Sequence, residues 1–229
     1  MLFPASSWNC TFFYGKEKPG QERRADSVRS SRLSHIMRIT GGSAKGRHLI
    51  KPKAGWRFIR PTGDRVREAL FSILGDEVAG STVLDLYAGT GALGIDALSR
   101  GAKTAVFVDQ SRQALELIHG NLTNCFPTAR ASLQQLNLSR EDSIERLRKK
   151  ISGQFFFDIV FLDPPYEKKL AEKTLTMLER ETLLKENGLV VAEERASVQL
   201  AEQYGTLSLV THRRYGETGI WLYRNLVDS

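Results

Sequence analysis

From residue 82 onward, short and mostly apolar runs alternate with segments whose apolar residues recur at helical spacing. The apolar runs predict buried strands, and the segments between them predict amphipathic helices. The predicted strands are 82–86, 104–108, 130–133, 156–162 and 189–193. The predicted helices are 92–100, 111–124, 141–151 and 170–181. Such alternation predicts an α/β fold with a parallel, doubly wound sheet and helices on both of its faces.

The two ends of the chain depart from this alternation. A short helix is predicted at 198–204, and the runs 207–211 and 219–223 are separated only by a turn around Gly216. No helix fits between those two runs, so they predict an antiparallel hairpin and a mixed sheet edge. At the other end, 37–50 predicts a small hairpin rich in Lys and Arg. Residues 1–36 show no periodicity, and we predict that they form a disordered extension.

Composition narrows the class of protein. The chain has 229 residues, and its apolar content of 41% is enough for a core. Its net charge of +7 favours an anionic partner such as nucleic acid. No run approaches the ~18 apolar residues of a membrane-spanning helix. Cys10 and Cys125 are too few for a disulfide framework, so a cytoplasmic location is expected. The isolated histidines lack the spacing of metal ligands, so no metal is assigned.

A glycine-rich loop follows the first predicted strand. The segment 89–94 matches the G-x-G-x-x-G dinucleotide fingerprint, and Asp109 ends the next strand about twenty residues on. Two ligands fit this pattern, a dinucleotide such as NAD and S-adenosylmethionine, because both carry an adenosine ribose. Asp85 would repel the pyrophosphate of a dinucleotide and would suit the cationic end of S-adenosylmethionine, which we therefore favour. The alternative interpretation is that both aspartates only cap loops.

A second polar cluster, Asp163-Pro164-Pro165-Tyr166, ends the apolar run 155–162. Proline cannot continue a central strand, so the cluster lies at the carboxyl edge of the predicted sheet, where open α/β sheets bind ligands. The carboxylate of Asp163 and the carbonyl of Pro164 could accept both N–H groups of a nucleobase amine. Tyr166 offers a ring on which the base could stack. The cluster thus predicts methyl transfer to an amine, and the alternative is a tight turn.

Together these motifs resemble the bacterial RsmD family, which methylates the exocyclic N2 of one guanine in small-subunit (16S) ribosomal RNA. The resemblance covers 37–226 and rests on the segments 37–42, 60–71, 85–94, 97–102, 163–166 and 215–218. It implies a Rossmann-like class I methyltransferase sheet of seven strands with the last one antiparallel. It also implies three parts: the extension 1–36, an RNA-facing hairpin at 37–61 and a methyltransferase domain at 62–229.

The resemblance assigns roles to individual residues. Asp163, Pro164, Pro165 and Tyr166 would receive the guanine. S-adenosylmethionine would contact Thr62, Asp85, Tyr87, Gly89, Thr90, Gly91, Asp109, Gln110, Gln134 and Gln135. The family usually has an Ala-Asp pair after the third strand, whose aspartate meets the adenine amine. Here Gln134 and Gln135 follow Leu133, and a glutamine carbonyl could accept the same hydrogen bond.

Ribosomal RNA, held within an assembling small subunit, is the expected partner of a monomeric enzyme. Basic side chains are expected to contact the RNA backbone. They are Lys45, Arg47, Arg60, Arg65, Arg213 and Arg214. Two other functions stay open on the sequence alone. One is a DNA or RNA adenine-N6 methyltransferase, which shares the Asp-Pro-Pro-Tyr cluster, and the other is a non-catalytic RNA-binding module.

Overall fold

A computed structural model describes residues 37–52, 63–151, 156–166, 169–181 and 183–226. Among these residues, eight strands form one sheet in the order β3-β2-β1-β4-β5-β8-β7-β6. The strands are β1 Thr82–Leu86, β2 Thr104–Asp109, β3 Ala131–Gln135, β4 Phe157–Leu162, β5 Leu184–Arg195, β6 Gln203–Tyr204, β7 Leu207–Tyr215 and β8 Thr218–Asn225. The first five strands pair in parallel, whereas β8 is antiparallel to both β5 and β7. The predicted fold class is therefore confirmed.

Helices cover both faces of the sheet, as the alternation predicted. They are α1 Asp64–Leu74, α2 Ala92–Ser99, α3 Arg112–Cys125, α4 Ser143–Lys150 and α5 Leu170–Arg180. On one face, α1, α2 and α3 bury the side chains of Val83, Phe107 and Phe161. On the other face, α4 and α5 bury Leu84 and Leu162. Burial on both faces explains why the central strands read as nearly continuous apolar runs.

The sheet has eight strands, one more than the seven that the sequence predicted. The additional strand is β6, whose Gln203 and Tyr204 pair with Ser208 and Leu207 of β7. The helix predicted at 198–204 is wrong. Gly205 takes a φ of 56° directly after Tyr204, which turns the chain back so that 203–204 pair with β7 instead of completing a helical turn.

Residues 37–52 pack against the sheet-covering helices. A single antiparallel bridge joins Arg38 to His48, and Met37, Ile39, Ala44 and Leu49 are buried beside α2 and α3. The backbone N–H of Ile50 donates to Asn121 Oδ1 on α3 at 2.6 Å. The predicted extension 1–36 and the segment 53–62 lie outside the described residues. No helix in the described part of the chain is long and apolar enough to span a membrane.

A buried ion pair fixes the same segment to α1 and α2. The Arg67 side chain is fully buried, and its Nε donates to Asp96 Oδ2 at 2.9 Å. A second Arg67 nitrogen donates to the backbone carbonyl of Arg38 at 2.6 Å, while Asp96 Oδ1 accepts the N–H of Thr40 at 2.6 Å. Buried charges need such partners, because removing one partner leaves the other uncompensated.

Candidate functional site

The loop between β1 and α2 is a tight turn built from left-handed backbone. Tyr87, Gly89 and Gly91 have φ values of 59°, 54° and 75°. The N–H of Ala88 donates to the carbonyl of Val108 on β2 at 3.0 Å, which ties the loop to the neighbouring strand. A Cβ on Gly91 would approach Ile118 to 2.9 Å, so glycine is required there for both backbone and space. The conformation of the loop is thus fixed at the carboxyl edge of the sheet.

Asp109 lies beside this loop at the end of β2. Its Oδ2 accepts the N–H of Gly89 at 2.9 Å, and its Oδ1 accepts the N–H of Ser111 at 2.7 Å. These two bonds fix the orientation of the carboxylate. An ionised carboxylate has about four lone-pair positions, so it can still accept the hydroxyls of a ribose. Asp109 therefore ends β2 beside the glycine loop, as the spacing predicted, and its contact with a ribose stays a prediction.

Asp85 is buried beneath the same loop, on the side of the sheet that α2 covers. Its carboxylate is 1% exposed, and its Oδ2 accepts the N–H of Gly94 at 2.9 Å. Burial raises the pKa of Asp85 to about 8; the bond from Gly94 lowers it, and the charge of Asp109 raises it further. Gly94 also permits this close approach, because a Cβ there would collide with Phe107.

The Asp85–Gly94 bond bears directly on the choice of cofactor. In dinucleotide-binding proteins the first N–H groups of this helix bind the pyrophosphate. Here one of those donors, in the first turn of α2, already binds a carboxylate of the protein itself. A second anion would meet the charge of Asp109, whereas a cationic sulfur or ammonium would be attracted to it and would favour ionisation of Asp85. The loop therefore fits S-adenosylmethionine and disfavours a dinucleotide.

Two other residues of the glycine loop, Tyr87 and Thr90, have their hydroxyl groups bound elsewhere in the protein. The Tyr87 hydroxyl lies 2.9 Å from Thr174 Oγ1 on α5, and burial raises the pKa of this phenol. The buried Thr90 hydroxyl lies 3.8 Å from the sulfur of Met37. The backbone carbonyl of Thr90 accepts a hydrogen bond from Asn121 Nδ2 at 3.3 Å. The Tyr87 hydroxyl is therefore directed toward α5 and the Thr90 hydroxyl toward Met37.

The glutamines lie at the end of β3, next to Asp109. The pairing register places Gln135 opposite Asp109 and Gln134 opposite Val108, so the two side chains point to opposite faces. Gln135 Nε2 donates to the carbonyl of Gln110 at 3.2 Å, while Gln134 Nε2 donates to Ser132 at 2.9 Å. Gln135 shares the face of Asp109, which favours it over Gln134 as a partner for an adenine amine.

The proline cluster lies next to the glycine loop. β1 and β4 are adjacent and parallel, and Leu86 pairs with Leu162, so Asp163 emerges level with Tyr87. The strand ends at Leu162, as the two prolines require. Asp163 is half-buried and Pro164 is buried, whereas Pro165 is exposed. The structure therefore brings the two predicted motifs together on neighbouring strands at one sheet edge.

Tyr166 turns back toward the ends of β5 and β8. Its hydroxyl donates to Glu193 Oε1 at 2.9 Å and lies 3.5 Å from Thr218 Oγ1. The guanidinium of Arg195 lies 5.6 Å from the ring centroid, within cation–π range. Burial, and then the charge of Glu193, raise the pKa of Tyr166 well above its usual value. The phenol therefore stays protonated at neutral pH.

A family model described as "Conserved hypothetical protein 95" matches residues 37–224. The chain belongs to the RsmD family. It is 37% identical to "Putative rRNA methyltransferase YlbH" of Bacillus subtilis, covering 82% of this chain and 98% of that protein. It is 34% identical to "Ribosomal RNA small subunit methyltransferase D" of Haemophilus influenzae, covering 82% of this chain and 94% of that protein.

Solved structures show the same fold. "Putative methyltransferase yhhF from Escherichia coli" aligns with a TM-score of 0.67 and 29% identity over 84% of this chain and 99% of that chain. A structure described as "SMU.776, a putative methyltransferase complexed with SAH" shares the fold with a TM-score of 0.54 at 20% identity, covering 70% of this chain and 48% of that chain. These comparisons confirm the predicted RsmD family and methyltransferase fold.

Sequence reasoning missed three residues that surround Tyr166 in this RsmD-family chain. Glu193 and Arg195 end β5, and Thr218 begins β8. A signal for the first two was present, because Glu193-Glu194-Arg195 is a polar cluster directly after an apolar run, like the clusters at Asp85 and Asp163. Thr218 carried no such signal, since its position depends on how β8 pairs with β5.

Asn121 was also missed. It is 1% exposed on α3, and its side chain joins the glycine loop, through the Thr90 carbonyl, to the N-terminal segment, through the Ile50 backbone. An isolated asparagine within a helical pattern gave no sign of this role. Asn121 therefore supports the cofactor loop from behind without reaching its surface.

The basic residues predicted to bind RNA lie at two different edges of the sheet. Arg213 and Arg214 on β7 lie level with Glu193 and Glu194 through the β7–β8–β5 register, two strands away from them on the carboxyl side of β5. Arg47 donates to the carbonyl of Cys125 at the end of α3, at 3.1 Å, away from the carboxyl edge. Lys45 lies in the turn that packs on the end of α2, also away from that edge.

Arg65 is exposed on α1. Arg60 and Thr62 lie outside the described residues, so their predicted contacts with RNA and cofactor stay predictions. Within the described part, Arg195 at the end of β5 lies beside the cluster, 5.6 Å from the centroid of the Tyr166 ring.

Proposed function

We propose that this chain is an S-adenosylmethionine-dependent methyltransferase that modifies the exocyclic N2 of a guanine in small-subunit ribosomal RNA. One observation carries the proposal: a loop suited to a cationic adenosine cofactor and an amine-binding Asp-Pro-Pro-Tyr cluster end adjacent parallel strands. The relatives named as ribosomal RNA methyltransferases support the choice of RNA as the acceptor.

The chain's residues can bind and orient the cofactor. S-adenosylmethionine supplies a methyl group carried on a cationic sulfur. Asp109, oriented by the N–H groups of Gly89 and Ser111, accepts the ribose hydroxyls. Asp85 contributes a carboxylate beneath the loop, and its raised pKa falls when a cation approaches it. Gln135 accepts from the adenine amine.

The proline cluster orients the acceptor. An exocyclic amine is a poor nucleophile, because its lone pair is delocalised into the ring. The Asp163 carboxylate and the Pro164 carbonyl accept its two N–H groups and direct the lone pair toward the cofactor side. The proton that the amine loses on methylation passes to Asp163. Tyr166, protonated and hydrogen-bonded to Glu193, supplies a stacking surface and no base. Positioning of this kind supplies most of the rate of a displacement reaction.

Nucleoside analysis tests the substrate. Purified protein, cofactor with a labelled methyl group, and either small-subunit RNA or DNA of the same host are incubated together, and the modified nucleoside is identified. Labelled N2-methylguanosine in RNA is expected. N6-methyladenosine in either nucleic acid would favour the adenine methyltransferase alternative. RNA binding without any methyl incorporation would favour the non-catalytic alternative.

Two further features belong to the same proposal. We expect a cytoplasmic monomer that acts while the small subunit assembles, since a chain of 229 residues with a net charge of +7 could need ribosomal proteins to help hold the RNA. Methylation rates on naked RNA and on assembly intermediates test this point, and equal rates would refute it. Sedimentation of the purified protein tests the monomeric state, which a dimer at micromolar concentration would exclude.

A further inference from the structure

The hydroxyl of Tyr166 is held by two residues that belong to neither the glycine loop nor the proline cluster. Its hydroxyl donates to the carboxylate of Glu193 at 2.9 Å, and Glu193 is only 6% exposed. Thr218 Oγ1 lies 3.5 Å from the same hydroxyl. The two partners come from different strands, β5 and β8, which pair with each other. A phenol held from two strands has a fixed ring plane.

The ring plane matters for an acceptor base. A base stacks on an aromatic ring face to face, so the orientation of the ring sets the orientation of the base and of its exocyclic amine. Charge-assisted hydrogen bonds are roughly twice as strong as neutral ones, and a buried carboxylate is therefore an effective anchor for a phenol. The guanidinium of Arg195, 5.6 Å from the centroid, further restrains the ring.

We propose that Glu193 is a positioning residue for methyl transfer, acting through the Tyr166 hydroxyl to fix the ring on which the acceptor base stacks. This inference rests on the proposed function of the Asp163–Tyr166 cluster. It assigns Glu193 no contact with base or cofactor. Removal of the Tyr166 hydroxyl should therefore make Glu193 dispensable for transfer.

The chain offers a matched control at the next position. Glu194 is also buried, at 3% exposure, but it points to the opposite face of β5, where its Oε1 accepts the N–H of Arg195 at 2.8 Å. Burial raises the pKa of Glu194. Glu194→Gln therefore makes the same chemical change one residue away without touching Tyr166, and we expect it to leave transfer unchanged.

A double-mutant cycle tests the coupling. Glu193→Leu removes the acceptor and should lower kcat/KM for RNA about tenfold, as expected when a hydrogen bond to a charged group is lost. Glu193→Gln keeps an acceptor oxygen and should lose less. In a Tyr166→Phe background, Glu193→Leu should have almost no further effect. Equal losses in both backgrounds would overturn the proposal. The cofactor dissociation constant should stay the same in all variants.

A measurement independent of activity completes the test. The protein has six tyrosines, and labelling them with ¹³C at Cζ gives one resonance each, with that of Tyr166 assigned by its loss in Tyr166→Phe. Glu193→Leu and Glu193→Gln should shift that resonance, while Glu194→Gln should not. An unmoved Tyr166 resonance in both Glu193 variants would refute the hydrogen bond itself. If the hydrogen bond is present but wild-type protein transfers no methyl group to RNA, the proposed function fails instead.

Discussion

The two halves of the site are built differently, although they end neighbouring strands. The two carboxylates of the glycine loop, Asp85 and Asp109, bind Gly94 and Gly89 within about 25 residues of chain, and Asn121, 31 residues after Thr90, adds one more distant contact. Tyr166 of the proline cluster is held by two later strands, since Glu193 lies 27 residues and Thr218 lies 52 residues after it in the chain. A cofactor half made of local contacts can be recognised from its motif. An acceptor half made of distant contacts depends on correct packing of β5 and β8.

The largest effect is expected from removal of the Asp163 carboxylate, which tests whether the proline cluster and the glycine loop have separate roles. Asp163→Ala should lower methyl transfer by about 10²–10⁴-fold, because the amine loses both an orienting acceptor and its proton acceptor. Cofactor affinity, measured by calorimetry, should stay within about twofold, since Asp163 belongs to the other half. Asp142→Ala, on an exposed helix start, is the control for non-specific effects. Unchanged turnover in Asp163→Ala would contradict the assignment.

On the cofactor side, Asp109→Ala should weaken binding of S-adenosylmethionine about 10–100-fold, because a carboxylate that accepts ribose hydroxyls is removed. The same change frees the N–H of Gly89 and of Ser111. A modest drop in melting temperature is therefore also expected. Calorimetric titration gives the affinity. Near-wild-type affinity in a folded variant would place the ribose elsewhere.

The pH dependence of stability tests Asp85. Its pKa is raised from 3.8 to about 8, so the folded protein holds a proton that the unfolded chain releases between these values. The free energy of unfolding should therefore fall as pH rises from about 4 to about 8. Asp85→Asn should remove this contribution, so the variant gains stability relative to wild type as pH rises. Urea denaturation at pH 5 and pH 8 measures both proteins, and parallel changes would show that Asp85 does not titrate in this range.

The smallest expected effect concerns the basic residues. Arg213→Ala combined with Arg214→Ala should weaken RNA binding several-fold and reduce the salt dependence of binding by up to about two counterions. The pair Lys45→Ala and Arg47→Ala should change binding less, because both residues lie away from the carboxyl edge. Filter binding at several salt concentrations compares the two double variants. A larger loss from the Lys45 and Arg47 pair would move the RNA to the N-terminal segment.

Much of the fold could be predicted because its central strands are buried on both faces and its helices are amphipathic. Strand β1 was predicted at its observed bounds, Thr82–Leu86, since the apolar run is followed directly by a glycine loop that ends the strand. The segment 198–204 was predicted wrongly, because its helical spacing is short and the turn at Gly205 and the pairing with β7 outweigh it.

In the candidate site, too, some residues could be predicted from the sequence and others could not. Asp85, Asp109 and Asp163 could be found because each ends a strand, and parallel strands bring their carboxyl ends to one edge. The direction of the Tyr87 and Thr90 side chains could not be found, since it follows from the positive φ of the turn and from what α5 and Met37 offer. Glu193 and Thr218 required the register of β5 with β8.

The attachment of the N-terminal segment has a consequence for synthesis of the chain. Thr40 binds Asp96, which comes 56 residues later, and Ile50 binds Asn121, which comes 71 residues later. At typical elongation rates, the partner of Ile50 is synthesised about 4–14 s after Ile50 itself. Met37, Ile39 and Leu49 stay without their apolar contacts over that interval. The segment 37–50 therefore leaves the ribosome well before the partners that it packs against, and the glycine loop gains its support from Asn121 only when α3 is complete.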